Sequence, residues 1–421
     1  MDLTPALVPP TCGCVKRLAA GPADWGFVPT RTETPRTAQD AARLLAEAAR
    51  AKTPQWIVGS ASRLAALPPT PRSAIALSTA GLARIVAYEP ADLTLTARAG
   101  TSLETIHELL AADRLELPAS HFGLADGTLG GAVATNLSDA RRGAAGPLRD
   151  RILGMEIATS DGQVSKSGGR VVKNVAGYDV GRLIAGSHGG LALVTEVTLR
   201  LSPRHEAHAP FTRAFGSAHE AAGHAFALTQ GAPALGLVSV VASDKVALLI
   251  WVHEGDSEAV EEGVRWSEAR HGKALATDAH DHPAPVESRL ALKALEHVCP
   301  ERTNVLLKAG VRPSRASDLL ATLGEMGPTF LGAHALHGAV FARFDLGDPA
   351  QARWAHKACL AVEGSGGWWR WQGAWRAGDG PNPAPWGGIE TPWPLYARLK
   401  QAFDPGGLLG PSVFSGEGAL R

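Results

Sequence analysis

The spacing of apolar residues predicts alternating helices and strands. Residues 41–48 carry apolar side chains at helical spacing, and Thr37 followed by Asp40 is a capping pair for a helix that begins there. The apolar run 55–58 then predicts a short buried strand that ends at Gly59. This helix and strand begin a first α+β unit.

A second unit repeats this order. Residues 85–88 and 93–97 predict a hairpin around the turn 89–92, and residues 101–104 cap the next helix. Residues 152–159 and 163–166 flank Asp161-Gly162, a dipeptide that supplies the positive φ angles of a tight hairpin turn. Residues 191–201 alternate large apolar residues with small or polar ones, which predicts a half-buried strand closed by Pro203.

The chain after residue 203 has a different sequence pattern. Long helical windows and the apolar stretches 235–241, 246–252 and 339–344 predict a second α+β domain, in which helices cover an antiparallel sheet. A helix at 395–403 stops at Asp404-Pro405. The predicted organisation is an arm at 1–30, a first domain at 31–203, a second domain at 204–390, and a C-terminal segment at 391–421 that returns to the first domain.

Composition excludes several classes of function. The 421 residues include 41 basic and 41 acidic side chains, so the net charge is zero. The composition therefore shows no excess of positive charge that would indicate binding to nucleic acid or an anionic membrane. Four cysteines are too few for a disulfide framework, and Cys12 with Cys14 is more typical of a reduced tail than of a metal site. The first ten residues do not resemble a secretory signal, and no apolar run approaches the roughly 18 residues of a membrane span. We therefore expect a cytoplasmic protein.

Three segments rich in small residues lie between Asp126 and Leu201, at 127–136, 173–179 and 186–196. Because glycine lacks a Cβ, its N–H can approach a phosphate closely, and three such segments indicate a long dinucleotide. The sequence has neither the G-x-G-x-x-G pattern of a Rossmann fold nor the G-x-x-x-x-G-K-[ST] pattern of a Walker site. Both of those nucleotide-binding classes are therefore disfavoured.

The ordered string resembles the FAD-binding superfamily of vanillyl-alcohol oxidase and p-cresol methylhydroxylase (PCMH) over residues 32–203 and at Asp404-Pro405. Its T-L-G-G-x-x-A-T turn is at 128–135, its G-x-x-R-D element at 146–150, its K-N-x-A-G-Y-D segment at 173–179, and its G-S-x-G-x-L-x-x-x-T-E strand entry at 186–196. Within the superfamily the string is most similar to the FAD-binding subunits of bacterial multi-subunit glycolate oxidases. The resemblance implies an α+β fold, with a two-subdomain PCMH-type FAD-binding domain followed by an α+β cap domain.

The resemblance also implies residue roles. Gly130 and Gly131 are expected to present free N–H groups to the FAD pyrophosphate, and Thr128 and Thr135 to donate hydroxyls. Gly189, Gly190 and Val194 are expected to let the main chain lie along the adenine or ribose, and the segment 173–179 to lie toward the flavin. Tyr178 is alternatively a core residue. Arg149-Asp150 is more typical of an internal ion pair or a cap than of a catalytic couple. The candidate cofactor-binding residues are Gly59, Ser60, Ala61, Ser62, Thr128, Leu129, Gly130, Gly131, Ala134, Thr135, Asn136, Lys173, Asn174, Gly177, Tyr178, Gly189, Gly190, Val194 and Glu196.

The first phosphate loop departs from the family pattern. The family has G-G-G-S after the strand, whereas this chain has Gly59-Ser60-Ala61-Ser62-Arg63. Small residues persist, and Arg63 adds a charge suited to phosphate. The loop contains no histidine and has no neighbouring cysteine, so we expect FAD to be bound noncovalently.

The second domain carries fewer chemical signals. It lacks the H-x-G-D-G-N-x-H metal signature of related 2-hydroxy acid dehydrogenases, and the pairs His334/His337 and His280/His282 are more typical of packed or solvated histidines than of ligands, so no metal is expected. The tryptophan-rich run 366–376 has three interpretations: a wall over the flavin in which Arg370 or Arg376 grips a carboxylate, a docking surface, or a core strand with alternating tryptophans. The catalytic base is not identified, and the candidates for catalysis are Arg370, Arg376 and Tyr178.

The resemblance implies an FAD-binding subunit of a glycolate oxidase-like complex. Such a subunit oxidises glycolate or a similar 2-hydroxy acid, or relays its electrons, with a sister FAD subunit and an iron–sulfur subunit as partners. One alternative is a self-sufficient FAD-dependent oxidase of another alcohol or hydroxy acid. The other is a structural subunit that has lost FAD, suggested by the depleted first loop.

Overall fold

The computed structural model describes residues 29–61, 74–118, 127–137, 140–169, 178–243, 246–272, 275–276, 304–372, 386–388 and 393–410. These residues form two compact units. The first contains the described parts of 29–139, 146–204 and 393–410, and the second contains 140–145 and the described parts of 205–388. Most of the predicted arm and the cysteines Cys12, Cys14 and Cys299 lie outside the described residues.

The first unit is a mixed α+β unit with three sheets. A parallel sheet has the strand order β1-β3-β2, and antiparallel sheets have the orders β4-β5-β9-β7-β8 and β10-β6. The elements up to residue 204 are β1 (Thr32–Glu33), α1 (Ala38–Arg50), β2 (Gln55–Val58), β3 (Ile75–Ser78), β4 (Ile85–Glu89), β5 (Thr94–Arg98), α2 (Leu103–Ala112), β6 (Leu115–Glu116), α3 (Leu129–Ala134), α4 (Arg142–Ala145), β7 (Ile152–Ala158), β8 (Val164–Gly168), α5 (Val180–Ile184), β9 (Leu193–Arg200) and β10 (Ser202–Pro203).

Local sequence signals set the ends of these elements. The Thr37 hydroxyl accepts a hydrogen bond from the Asp40 N–H at 3.0 Å and so caps α1, and Ser102 caps α2 in the same way through Thr105. The predicted strand 55–58 coincides with β2, and the predicted hairpin at 85–97 is the antiparallel pair β4 and β5. These predictions are confirmed. They could be made from the sequence because each depends only on residues close in sequence.

Two details of the prediction are wrong. In the turn between β7 and β8, Gly162 has a positive φ of +87°, but Asp161 does not. The turn closes through a hydrogen bond from the Gly162 N–H to the Thr159 carbonyl, and Gly162 is its left-handed residue. Strand β9 is not half-buried, since all its positions except Glu196 and Arg200 are buried. It is the central strand of its sheet, and separate apolar clusters pack against it.

The second unit, to which α4 also belongs, is built on an antiparallel sheet, as predicted, and the described residues give it nine strands. Its strand order is β14-β11-β13-β12-β16-β17-β15-β18-β19. Its elements are β11 (Ala207–Phe215), α6 (Ala218–Thr229), β12 (Leu235–Ala242), β13 (Ala247–Gly255), α7 (Ser257–His271), β14 (Leu275–Ala276), β15 (Asn304–Gly310), α8 (Pro313–Gly324), β16 (Phe330–His334), β17 (Ala339–Asp345), α9 (Pro349–Gly364), β18 (Trp368–Gln372) and β19 (Trp386–Gly388).

The two faces of this sheet differ in chemistry. Val240, Val340 and Leu307 belong to a large apolar cluster that includes residues of α6, α8 and α9. Because side chains alternate across a strand, the neighbouring positions project from the opposite face. Lys308 and Arg370, which are Cα partners on β15 and β18, are on that face.

The C-terminal helix α10 (Trp393–Phe403) clusters with the first unit. Beyond it, the Gln55 N–H donates to the Leu408 carbonyl at 2.8 Å and the Gly410 N–H donates to the Gln55 carbonyl at 2.9 Å, so the segment runs parallel to β2. Within the described parts of the chain, no helix is both long and apolar enough to cross a membrane. The chain has the predicted α+β fold.

Candidate functional site

Three of the predicted cofactor segments converge in the first unit. A Cβ on Gly59 would overlap the Thr128 hydroxyl oxygen, so the loop after β2 lies directly against the start of α3. A Cβ on Gly189 would lie 3.4 Å from the Ile57 side chain, and the His188 N–H donates to the Ala134 carbonyl at 2.8 Å. The loop 59–61, helix α3 and the loop 186–190 therefore form one contiguous site.

The N–H groups at the start of α3 are used within the chain. Leu129 donates to the Thr101 carbonyl at 2.9 Å, Gly130 to the Ala99 carbonyl at 2.7 Å, and Gly131 to the Thr128 hydroxyl at 3.2 Å. The expectation that Gly130 and Gly131 present free N–H groups to a pyrophosphate is therefore wrong. A Cβ on Gly130 would lie 2.8 Å from the Ala99 Cβ, so this glycine is needed for close packing of α3 on the chain that follows β5.

One face of α3 remains available to a ligand. Gly131, Ala134 and Thr135 are half-buried and lie at the i, i+3, i+4 spacing of a single helix face, whereas Leu129 is fully buried in the apolar core. The Thr135 hydroxyl donates back to the Gly131 carbonyl at 2.9 Å, and its role as a donor to the cofactor stays a prediction. Its small side chain is half-buried and therefore partly accessible.

Asn136 follows Thr135, the C-cap of this helix. Its φ of 46° is in the left-handed region, which Asn tolerates better than most residues, and its Oδ1 accepts the Arg149 N–H at 3.2 Å. This contact connects the glycine-rich turn to the G-x-x-R-D element. Arg149 and Asp150 form an ion pair at 3.8 Å in which both side chains are exposed.

The ammonium group of Lys400 in α10 holds the loop 186–190 in place. The Nζ of Lys400 donates to the Gly190 carbonyl at 2.6 Å and to the Leu409 carbonyl at 2.6 Å, and it pairs with Asp404 at 2.7 Å. Burial lowers the pKa of Lys400, although the Asp404 carboxylate opposes that effect. No sequence motif marked Lys400, because its importance depends on where α10 packs.

Two predicted cofactor residues lie in the sheet rather than at the loops. Val194 is buried in the apolar core, where its strand pairs with Ile157. Glu196 pairs with Arg98 at 3.2 Å on the neighbouring strand, and Arg98 also reaches Glu156 at 3.0 Å. Val194 is thus a packing residue, and Glu196 belongs to an ion-pair network.

The segment predicted to lie toward the flavin is described only at its end. Ser62, Lys173, Asn174 and Gly177 lie outside the described residues. Tyr178 is 93% exposed, so the interpretation of its ring as a core residue is wrong. Its carbonyl accepts the Ser167 hydroxyl at 3.0 Å, which fixes the backbone at the start of α5.

The tryptophan-rich run divides between the two faces of the second sheet. Trp369 and Trp371 are buried in the apolar core, as the core-strand interpretation predicts. Trp368 and Arg370 alternate with them and project from the other face, where the Trp368 indole lies over Gly310. Burial lowers the pKa of Arg370 to about 10, so the guanidinium is still charged at neutral pH. Arg376 lies outside the described residues.

The histidine pair at the β16–β17 turn is packed. His334 is buried with its Nδ1 2.9 Å from the Ser239 hydroxyl, and its ring centroid is 5.4 Å from that of His337. His280 and His282 lie outside the described residues.

Known proteins similar to this chain agree with a flavin site. The sequence profile of the family described as FAD binding domain matches residues 29–168. Glycolate oxidase subunit GlcE of Escherichia coli is 44% identical over 122 residues, which are 28% of this chain and 35% of that protein. D-2-hydroxyglutarate dehydrogenase of Xanthomonas citri pv. viticola is 33% identical over 128 residues, or 30% of this chain and 27% of that protein. Glycolate oxidase subunit GlcD of Bacillus subtilis is 27% identical over 179 residues, or 42% and 38%.

The matches therefore cover about a third of the length of these curated relatives. Two solved structures of alkyldihydroxyacetonephosphate synthase superpose with TM-scores of 0.64 and 0.63 over 90% of this chain and 75% and 76% of theirs, at 16% and 14% identity. At that identity the likeness concerns the fold alone. Residues 29–168 of this chain are thus similar to known FAD binding domains, which supports FAD as the cofactor.

Proposed function

We propose that this protein is an FAD-dependent oxidoreductase that acts on the CH–OH group of a small 2-hydroxy acid such as glycolate. The observation that carries the proposal is the convergence of Gly59, Thr128 and Gly189 into one site within the FAD binding domain. The glycolate oxidase subunits and the D-2-hydroxyglutarate dehydrogenase among the relatives support a 2-hydroxy acid as substrate.

The residues of the site fit FAD. Small side chains from two segments, Gly59 to Ala61 and the Gly131, Ala134, Thr135 face of α3, are half-buried and therefore partly accessible to a ligand. We expect these residues and the loop 186–190 to hold FAD noncovalently. When bound, FAD supplies a two-electron acceptor, while the protein orients it and excludes water.

The finer proposal is that the chain works within a glycolate oxidase-like complex. Two of the relatives are named as subunits of glycolate oxidase. A sister FAD subunit and an iron–sulfur subunit are then the partners, and electrons leave this chain through FAD toward the iron–sulfur subunit. In the relay version, the sister subunit oxidises the substrate.

An absorption spectrum of the freshly purified protein tests cofactor binding. We expect flavin bands near one equivalent, and colourless protein that takes up no added FAD would favour a structural subunit. Anaerobic addition of glycolate or D-lactate then tests catalysis. Bleaching of the flavin in the isolated chain would refute the relay version, whereas bleaching only with partner subunits present would support it.

A pair of glycine substitutions tests the site itself. Gly59→Ala places a methyl group against Thr128 and separates the two segments, so FAD affinity is expected to fall about tenfold or more, a loss of roughly 1.4 kcal/mol. Gly216→Ala is the control, because a Cβ there meets nothing within 4 Å. Equal FAD dissociation constants for the two variants would place the cofactor elsewhere.

A further inference from the structure

The C-terminal strap, residues 393–410, lies alongside a strand that leads into the cofactor site. The Gln55 N–H donates to the Leu408 carbonyl at 2.8 Å, and the Gly410 N–H donates to the Gln55 carbonyl at 2.9 Å. These two bonds pair the end of the strap in parallel with the first residue of β2. Because β2 continues into the loop 59–61, the position of this loop is connected to that of the strap.

The same strap holds the second loop of the site. The Lys400 ammonium donates to the Gly190 carbonyl and to the Leu409 carbonyl, both at 2.6 Å. One cation thus ties the loop 186–190 to the part of the strap that is paired with β2. Two loops that are far apart in sequence therefore depend on contacts with one segment.

Apolar contacts reinforce these hydrogen bonds. Leu409 is fully buried in a cluster that includes Leu193 of β9, and Ile57 of β2 packs against this cluster. A Cβ on Gly189 would lie 3.4 Å from the Ile57 side chain, so Ile57 connects the cluster to the loop 186–190. Undocking of the strap would therefore remove packing as well as hydrogen bonds from β2 and from this loop.

A docked strap lowers the cost of binding a cofactor. Loops that are free to move lose conformational entropy when a ligand orders them, whereas loops that are already fixed lose less. FAD, which both loops are expected to contact, then binds more weakly when the strap is undocked. By thermodynamic linkage the effect is reciprocal, so bound FAD favours the docked strap by the same factor.

We propose that docking of the C-terminal strap and binding of FAD are coupled. FAD binds tightly to the protein in which the strap is docked, and bound FAD in turn holds the strap against β2. Leu409 and Lys400 act on the cofactor as positioning residues, since they contact the strand and loops that hold it. The coupling rests on the proposed function only for FAD as the ligand.

Fluorescence titration of FAD into full-length variants tests the effect of the strap on the cofactor. Leu409→Ala is expected to weaken FAD binding about tenfold, within the usual range of such couplings. Leu323→Ala is the matched control, because it removes the same atoms from a fully buried position on α8 of the second unit. The control is expected to lose stability and keep its FAD affinity. Equal FAD dissociation constants in the two variants would overturn the proposal.

Hydrogen exchange measured by mass spectrometry tests the reciprocal effect. The Gln55 and Gly410 N–H groups are hydrogen-bonded across the contact between strap and β2, so their exchange reports undocking. Without FAD we expect them to exchange faster than the amides of α2, a core helix of the same unit, and FAD is expected to slow them about tenfold. Exchange at Gly410 that is unchanged by FAD, or that is as slow as in α2 without FAD, would contradict the coupling.

A milder variant gives a second readout if Leu409→Ala does not fold. Ser160→Ala removes the hydrogen bond from the Ser160 hydroxyl to the Phe403 carbonyl, 3.0 Å long, and is expected to speed exchange at Gly410 about fivefold, the effect of one hydrogen bond. Unchanged exchange in this variant would also count against the strap. Flavin absorbance of the same samples separates the two proposals: protein that binds no FAD would refute both, whereas FAD-loaded protein with unchanged exchange at Gly410 would refute the coupling alone.

Discussion

Replacing Lys400 by methionine is expected to weaken both the first unit and its cofactor loop. Met keeps the length of the side chain and removes the ammonium group. The Gly190 and Leu409 carbonyls, each 2.6 Å from Nζ, lose their donor, and Asp404 loses its cationic partner. One substitution therefore loosens the loop 186–190 and the segment that follows α10.

The size of the effect follows from burial. The Asp404 side chain is fully buried and that of Lys400 is only 17% exposed, so solvent screens the pair little. Breaking a buried ion pair by removing one partner costs about 3–5 kcal/mol, since an uncompensated charge is left behind. The remaining hydrogen bond to Asp404, from the Leu409 N–H at 2.7 Å, cannot neutralise that charge.

Urea unfolding followed by circular dichroism, together with fluorescence titration of FAD, measures both consequences. We expect Lys400→Met to lose about 3–5 kcal/mol of unfolding free energy and to bind FAD more weakly. Adding Asp404→Asn removes the stranded charge and is expected to recover part of the stability. Lys166→Met is the control, because that side chain is 70% exposed and its ion pair with Glu156 contributes at most about 1 kcal/mol. The reasoning fails if Lys400→Met is as stable as the control or if the double variant is less stable than the single one.

Three further substitutions have defined outcomes. Burial raises the pKa of Glu156, but hydrogen bonds from Thr195 and Lys166 hold it below its usual value of 4.5, so its contribution to stability is present above pH 4.5 and is lost as the pH falls through the folded-state pKa. Glu156→Gln should therefore flatten the fall in unfolding free energy on acidification, and an unchanged pH dependence would contradict this. Arg141→Met strands the buried Glu254 carboxylate, 3.0 Å away, and is expected to cost about 3–5 kcal/mol in urea unfolding; a loss under 1 kcal/mol would show that the pair is not buried in solution. Ala61 has a φ of 60°, a left-handed conformation that is strained for alanine. Ala61→Gly should therefore stabilise the protein by up to about 1 kcal/mol in thermal unfolding, and an unchanged stability would show that the loop relaxes freely.

The parts of the fold that the sequence predicted depend on local signals. Thr37 and Ser102 cap helices through residues three positions away, and β2 is a short apolar run ended by glycine. The burial of β9 on both faces could not be predicted in this way, because it depends on which strands and helices pack around it. The same limit applied to the site: Lys400 is a single charged residue whose importance depends on how α10 packs.

The glycines of the site also explain how the loop after β2, which lacks two glycines of the family pattern, can still bind FAD. The contact that requires a glycine in that loop is made at Gly59, which this chain retains, against Thr128. Ser60 and Ala61 follow it as small, half-buried residues. Among the described residues of the loop, 59–61, only Ala61 has a left-handed backbone, and an L-residue there costs about 1–2 kcal/mol. That cost is small beside the binding free energy of about 8 kcal/mol of a cofactor bound at micromolar affinity. The missing glycines therefore favour weakened FAD binding over its loss, and they give no support to a purely structural subunit.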